Sequence, residues 1–145
     1  MGMFTALNNS ASALTAQRLK MDVTSSNIAN ADSTRGTMIN GKWEPYRRKM
    51  VVTSPNENSF KSLFQSAKGV GGVKINGIVE DKTPFKTVYQ PDHPDADADG
   101  YVRLPNVDPL KEMVDLVSTT RSYEANVTAL NAAKGIYLKS LEIGR

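Results

Sequence analysis

Apolar side chains recur at alternating intervals of three and four residues along both ends of the chain, and the middle carries short β-branched runs between glycines and prolines. Intervals of three and four residues are typical of a helix whose apolar stripe packs on another helix. The pattern predicts a mainly α protein with a small β insert, in which two long terminal helices pair as an antiparallel coiled coil. We place the N-terminal helical segment at 1–35, the strand-rich middle segment at 36–105 with a mobile loop at about 54–72, and the C-terminal helical segment at 106–145.

The first helix combines an apolar stripe with an outer surface of Ala, Ser, Thr and Asn instead of Lys and Glu. The stripe consists of Phe4, Leu7, Leu14, Met21 and Ile28. Because a solvated helix face normally carries charges, small neutral side chains favour neighbours on more than one side, with a plain surface helix as the alternative. Ser, Thr and Asn are middling helix formers, so we expect residues 1–31 to be at most partly helical in an isolated monomer.

The C-terminal helix has a defined start and a second apolar stripe. Asp108 can cap its first turn, and Pro109 suits the first helical position. Helix 109–143 would be about 50 Å long at the usual rise per residue. Its stripe consists of Met113, Leu116, Tyr123, Val127, Leu130, Tyr137 and Leu141. Gly135 lies inside the helix, where it either lets another backbone approach closely or weakens the helix.

The middle segment contains runs that are too short for helices and rich in β-branched side chains. These runs lie at 48–53, 73–75, 78–79, 87–89 and 101–102. Glycines and prolines separate them, so the pattern predicts short strands that are joined by turns.

Composition excludes several classes of site. The chain has 145 residues, no cysteine and one histidine, so disulfides, thiolate metal sites and multi-histidine metal sites are excluded. No apolar stretch is long enough to cross a membrane, and the start lacks a signal-peptide pattern. Ala6 stands where a myristoylation motif requires Ser or Thr, so we expect no lipid anchor. We predict a protein that is not an enzyme and that binds no cofactor.

A basic cluster, Arg47-Arg48-Lys49, follows Trp43 and Tyr46. Basic residues among aromatic residues can bind nucleic acid. The net charge of +3 is modest, however, and three adjacent cations make a small electrostatic footprint. We therefore assign the cluster to subunit contacts and expect no nucleic-acid partner.

Three aspartates at alternate positions, Asp95, Asp97 and Asp99, precede Gly100 and match the first half of an EF-hand calcium loop. The match then fails. The twelfth position is Asn106 where the loop requires a bidentate Glu, and the ninth is the cation Arg103. We expect no metal site, and interpret the segment as an acidic loop that turns at Gly100 into a strand.

Four groups of residues resemble the bacterial flagellar rod, hook and filament-type axial proteins. The end of the first helix matches the Ala-Asn-x-x-x-Thr signature of that family, and Tyr46 to Lys49 is similar to its first strand. Residues 93–107 resemble the proximal rod subunits in particular, and 112–127 resembles the last helix of the family. The motif residues are Asn27, Ala29, Asn30, Thr34, Pro94, Asp95, Asp97, Gly100, Tyr101, Pro105, Asn106, Tyr123 and Asn126.

The resemblance implies a structural subunit of the flagellar proximal rod, a drive shaft that transmits motor torque across the periplasm. It implies export through the flagellar type III apparatus without a cleaved signal peptide. It also implies polymerisation through the terminal helices with copies of the chain, other rod subunits and adjoining basal-body proteins. A distal rod subunit is the alternative, followed by a calcium-binding adhesion or signalling module and then by a hydrolase.

Overall fold

The structure is a computed structural model that describes residues 3–39, 41–55 and 71–143, without the side chains of Met3 and Phe4. The predicted loop at about 54–72 lies outside the described residues except at its two ends, and so does the predicted stripe side chain of Phe4. Among the described residues, no helix is both long and apolar enough to cross a membrane.

In the described residues, two helices lie toward the ends of the chain, and six short strands lie between them. The elements are α1 (Met3–Ala29), β1 (Thr37–Ile39), β2 (Lys42–Glu44), β3 (Lys49–Pro55), β4 (Val73–Glu80), β5 (Lys86–Tyr89), β6 (Tyr101–Leu104) and α2 (Pro109–Ile143). The strands form three two-stranded sheets, β1–β2, β3–β4 and β5–β6. The prediction of a mainly α chain with a small β insert is therefore confirmed.

The helix ends follow local hydrogen-bonding rules. Asp108 caps α2, because its Oδ1 accepts from Leu110 N at 3.2 Å and its carbonyl accepts from Glu112 N at 3.0 Å. Pro109 then occupies the first helical position, as predicted. At the other end of the chain, Asn30 ends α1 by donating from Nδ2 to the carbonyl of Ser26 at 2.9 Å.

The hairpin β1–β2 was not predicted. Met38 pairs with Trp43 and Ile39 with Lys42, which leaves a two-residue connection that includes Gly41 at φ 77°. The sequence carried a signal for it, since Asn40-Gly41 is a dipeptide that favours such hairpins. Gly36 precedes the hairpin and donates its N–H to the carbonyl of Glu44 at 2.8 Å. A Cβ at Gly36 would lie 2.6 Å from the backbone of Tyr46, so only glycine fits there.

The chain divides into two compact units. The first contains Met1–Met21, Val51–Gly77 and Val117–Arg145, and the second contains Asp22–Met50 and Ile78–Leu116. In the first unit, Ala16 of α1 and Thr119 of α2 are buried, and Thr120 Oγ1 lies 3.6 Å from Met21 Sδ. The start of β4 is tied to α1 in the same unit, where Val73 N donates to Ser12 Oγ at 3.1 Å.

The second unit has a small core in which polar groups are as deeply buried as apolar ones. Val102 and Val107 are 0% and 2% exposed, while Asn27 and Glu112 are each 1% exposed. Strands β5 and β6 form an antiparallel pair in which Val88 lies opposite Val102. Lys86 Nζ donates to the carbonyl of Val107 at 2.8 Å, which connects this pair of strands to the segment that precedes α2.

Candidate functional site: a buried polar cluster and an exposed apolar helix

Asn27, in the last turns of α1, binds the first residue of β3 with both ends of its amide. Its Oδ1 accepts from Lys49 N at 2.9 Å, and its Nδ2 donates to the Lys49 carbonyl at 2.9 Å. The same Oδ1 accepts from the Tyr46 hydroxyl at 3.0 Å, and Nδ2 also donates to Glu112 Oε2 at 2.9 Å. Only an amide side chain offers a donor and an acceptor in this geometry, so Asn27 joins α1, β3 and α2 within the second unit.

Glu112 brings a buried carboxylate to this point from the first turn of α2. Its Oε1 accepts from Arg48 Nε at 2.6 Å, and the Arg48 guanidinium also lies 3.5 Å from Asp81 Oδ2. Burial alone would lower the pKa of Arg48, but the hydrogen bonds and charges of Glu112 and Asp81 outweigh it and raise that pKa. The guanidinium therefore stays charged, which lets the carboxylate remain inside the protein.

Asn106 completes the polar cluster, which we define as Asn27, Tyr46, Arg48, Asn106 and Glu112. Its Oδ1 accepts from Arg48 N at 2.8 Å, and its Nδ2 donates to the carbonyls of Asp81 and Thr83, each at 3.1 Å. Within the described part of the chain, no buried side-chain nitrogen or oxygen lacks a hydrogen-bond partner. The motif residues Asn27 and Asn106 thus bind adjacent backbone N–H groups of the same segment, at Lys49 and Arg48.

This arrangement corrects the sequence-based interpretation of Arg48. The prediction assigned Arg47, Arg48 and Lys49 to contacts with other subunits. The Arg48 guanidinium instead forms ion pairs with Glu112 and Asp81 of its own chain. Arg47 lies over the ring of Phe85 at 4.3 Å and 3.7 Å from the Glu44 carboxylate. Lys49 Nζ lies 5.5 Å from the centre of the Tyr46 ring.

The acidic loop is anchored to the segment that follows α1. Asp95 Oδ2 accepts from Thr34 Oγ1 at 2.7 Å, and its Oδ1 accepts from Arg35 Nε at 2.8 Å. The hydrogen bonds from Arg35 and Thr34 lower the pKa of Asp95, so its carboxylate stays ionised. Both oxygens of the first residue in the EF-hand-like run are therefore occupied by protein donors.

Asp97 shapes the turn that follows. Its Oδ1 accepts from the backbone N–H groups of Asp99 and Tyr101 at 3.2 and 3.0 Å. Gly100 has φ 79°, and a Cβ there would lie 3.0 Å from the Tyr89 ring, so both the backbone conformation and the close approach disfavour a side chain. In the ranges that the structure covers, no three metal-ligating side chains cluster. We therefore assign Asp95, Asp97 and Gly100 to loop geometry.

The remaining motif residues lie outside the polar cluster and the acidic loop contacts described above. Pro105 is buried beside the core of the second unit, whereas Ala29 and Pro94 are exposed. Tyr101 lies opposite Tyr89 in the β5–β6 pair, and the two rings meet edge to face at 5.4 Å. Asn126 donates from Nδ2 to the carbonyl of Ser122 at 2.8 Å, one turn back along α2, and Tyr123 is half-buried.

The predicted stripe residues are only partly covered in the single chain. Met113 and Leu141 are 50% and 56% exposed. The others are half-buried: Leu7, Leu14, Met21, Ile28, Leu116, Tyr123, Val127, Leu130 and Tyr137. The stripes therefore have apolar area left for a further partner.

A second set of apolar side chains on α2 was missed by the sequence reasoning. In the second unit, Leu110 and Val114 are 77% and 69% exposed beside Met113. In the first unit, the exposed apolar residues of α2 that the predicted stripe did not include are Val117, Ile136, Leu138 and Ile143. The spacing of Leu110, Met113 and Val114 was the available signal, because residues three and four apart share a helix face. Groups of exposed apolar side chains on one helix indicate a candidate interaction surface.

Two protein families match the ends of the chain. The family described as Flagella basal body rod protein matches residues 7–36, which include Asn27 and Thr34. The family described as Flagellar basal body rod FlgEFG protein C-terminal matches residues 98–143, which include Asn106, Glu112 and nearly all of α2. Both matches thus cover residues that build the polar cluster.

Characterised relatives match the chain from end to end. The flagellar basal-body rod protein FlgC of Bacillus subtilis is 60% identical, over 100% of this chain and 100% of the relative. FlgC of Borreliella burgdorferi is 42% identical over 99% of this chain and 98% of its own length. FlgC of Yersinia enterocolitica is 42% identical over 100% of both chains. Similarity at this level and over the whole length shows that the chain belongs to the flagellar basal-body rod protein family, with the FlgC proteins as full-length relatives.

Proposed function

We propose that this chain is a structural subunit of the flagellar proximal rod, which polymerises through its terminal helices into the drive shaft that carries motor torque across the periplasm. The observation that carries the proposal is the 60% identity to a FlgC protein over the whole of both chains. Membership of the rod family confirms the prediction that the chain is a structural protein and not an enzyme. Full-length similarity to FlgC proteins favours a proximal over a distal rod subunit.

The exposed apolar surface of α2 supports assembly as the mode of action. Leu110 and Ile143 are 77% and 80% exposed, although both are large aliphatic side chains on a helix. Burying such a side chain contributes about 1.5–3 kcal/mol, so a polymer gains free energy by covering several of them at each contact. We infer that the stripes of α1 and α2 pair as an antiparallel coiled coil and that the remaining α2 surface contacts neighbouring subunits.

The proposed partners in the assembled rod are copies of the chain, other rod subunits and adjoining basal-body proteins. The type III export apparatus is a transient partner during export, which requires no cleaved signal peptide. In this arrangement 1–35 and 106–145 form the helical core of the rod, and 36–105 faces outward. The internal use of Arg48 supports our expectation that nucleic acid is not a partner, since it leaves fewer free cations at the basic cluster.

Complementation in Bacillus subtilis tests the proposal, because the FlgC protein of that organism is 60% identical. A strain that lacks its own FlgC should be non-motile, and expression of this chain should restore swimming and place the chain in isolated basal bodies. The control is the same chain with Leu130→Asp, which puts a charge on the α2 stripe and should not restore swimming. Restored motility without the chain in basal bodies would contradict a rod function.

A further inference from the structure

A cleft of about 360 Å³ opens in the second unit and is distinct from the polar cluster. Its wall includes two aromatic rings, Trp43 of β2 and Tyr101 of β6, and two cations, Lys42 and Arg103. The volume is at the lower end of the range of pockets that take small ligands or a few residues of a peptide. We refer to it as the aromatic–cationic cleft.

Both rings are open to solvent in the single chain. Trp43 is 53% exposed and Tyr101 is 47% exposed. The Tyr101 ring is nonetheless held in place, because Tyr89 meets it edge to face with ring centres 5.4 Å apart. A preorganised, uncovered aromatic surface is typical of a site where a partner places an apolar side chain.

The cleft carries more positive than negative charge once the ion pairs within the chain are counted. Asp95 is paired with Arg35, and Glu44 lies 3.7 Å from Arg47, so these two carboxylates are neutralised within the chain. A third, Asp97, uses Oδ1 to accept two backbone N–H groups. Over the described ranges, neither Lys42 nor Arg103 forms an ion pair. The Asp97 carboxylate keeps its negative charge and offsets one of these two cations, so the cleft has a small excess of positive charge beside two exposed rings.

We propose that the aromatic–cationic cleft binds a short acidic peptide segment of a protein partner. An aromatic or aliphatic side chain of that segment packs on Trp43 and Tyr101, and flanking carboxylates lie on Lys42 and Arg103. Charge complementarity and the aromatic wall select such a segment, because a basic peptide lacks the first feature and a purely polar peptide lacks the second. The proposal does not depend on the rod function, since it rests on this cleft alone.

The chain itself supplies the probe for a test. Trp43 is its only tryptophan and lies in the wall of the cleft, so intrinsic fluorescence reports directly on occupancy. The purified full-length chain is titrated with the peptide Ac-EDFLDE-NH2 and, separately, with its basic counterpart Ac-KRFLRK-NH2. We expect a saturable change with the acidic peptide only, and an affinity that falls as salt is added.

Two double variants that lose the same charge distinguish the effect of the cleft cations on peptide affinity from the effect of the overall charge of the protein. Lys42→Ala with Arg103→Ala should weaken binding of the acidic peptide by about tenfold, the loss expected from removing two partly exposed charge contacts. Lys82→Ala with Lys111→Ala removes two exposed cations outside the cleft wall and should leave the affinity within about twofold of the original.

Several results would overturn the proposal. These are equal responses to the acidic and basic peptides, equal losses in the two double variants, and no saturable response to the acidic peptide. A fluorescence change that depends on protein concentration alone would assign the cleft to a second copy of the chain and would also overturn it. Circular dichroism of each variant, unchanged from the original chain, shows that the exposed substitutions leave the fold intact.

Discussion

At the residue scale, Arg48 and Glu112 lie inside the second unit although charged side chains are seldom buried without a partner. Glu112 is 1% exposed, and its partner is 64 residues away in the chain. Sequence reasoning assigned Arg48 to the surface because no local spacing reveals a pair formed between a strand and a distant helix. Asn27 and Asn106 were identified only through a family resemblance, and their hydrogen bonds to the backbone around Arg48 now give the physical reason for those residue types.

The first prediction concerns this ion pair. Arg48→Met should lower the free energy of unfolding by about 3 kcal/mol, because it leaves the Glu112 carboxylate buried without its cation. Arg47→Met is the matched control at the adjacent position, and should cost about 1 kcal/mol or less because the Arg47–Glu44 pair is partly exposed. Urea denaturation of both variants measures the difference. Equal losses would show that the Arg48–Glu112 pair has no special role in stability.

The second prediction concerns acid sensitivity at Asp95. Its pKa is lowered by Arg35 and Thr34, so the contribution of its carboxylate to stability is present above the ordinary pKa of Asp and is lost as pH falls through the lowered value. Asp95→Asn should therefore be less stable than the original chain near neutral pH, and this difference should shrink as the pH falls toward about 2. Urea midpoints at the two pH values test this, with the exposed Asp99→Asn as the control. A pH-independent difference between Asp95→Asn and the original chain would contradict the account.

At the element scale, the helices were the part of the fold that the sequence predicted best. Periodicity and the Asp108-Pro109 cap placed α2 at 109–143, which is where the structure has it. The strands followed from β-branched runs, and β3 to β6 lie within a few residues of the predicted runs. The hairpin β1–β2 was missed because its strands have three residues each, too few to show an alternating pattern.

The third prediction distinguishes the two apolar surfaces of α2. Val114 is 69% exposed, so Val114→Asp should leave the stability of the monomer nearly unchanged and yet prevent rod assembly. Leu116 is half-buried in the chain, so Leu116→Asp should both lower the thermal midpoint by several degrees and abolish assembly. Thermal denaturation and swimming assays on both variants are the measurements. A motile Val114→Asp strain would exclude this surface from subunit contacts.

At the scale of the whole molecule, the described residues form a small fully buried apolar core, and many half-buried side chains lie along the helices. Among the described residues, the buried apolar side chains of this core are Ala16, Val23, Ala31, Val102 and Val107. A core of this size leaves much of the apolar area of α1 and α2 to be covered by other subunits. The sequence indicated this through its first helix, which carries few charges, whereas it gave no sign that buried polar groups would hold the second unit together.

The fourth prediction is that α1 is unevenly stable in an isolated monomer. Val23, Thr24 and Asn27 are buried, and Asn27 is held by four hydrogen bonds. We expect slow amide exchange at 23–29 and fast exchange at 5–20, where the stripe residues Leu7 and Leu14 are half-buried. Hydrogen exchange on a dilute monomer tests this. Uniform strong protection from 5 to 29 would show that the helix forms without assembly.

The most direct test of the central claim is a density map of isolated basal bodies that contain this chain. We expect the chain to lie in the proximal rod, with α1 and α2 packed together in the inner layer and the strands at 37–104 on the outside. A map that places the chain outside the rod, or within it with the strands inward and the helices facing out, would contradict the account.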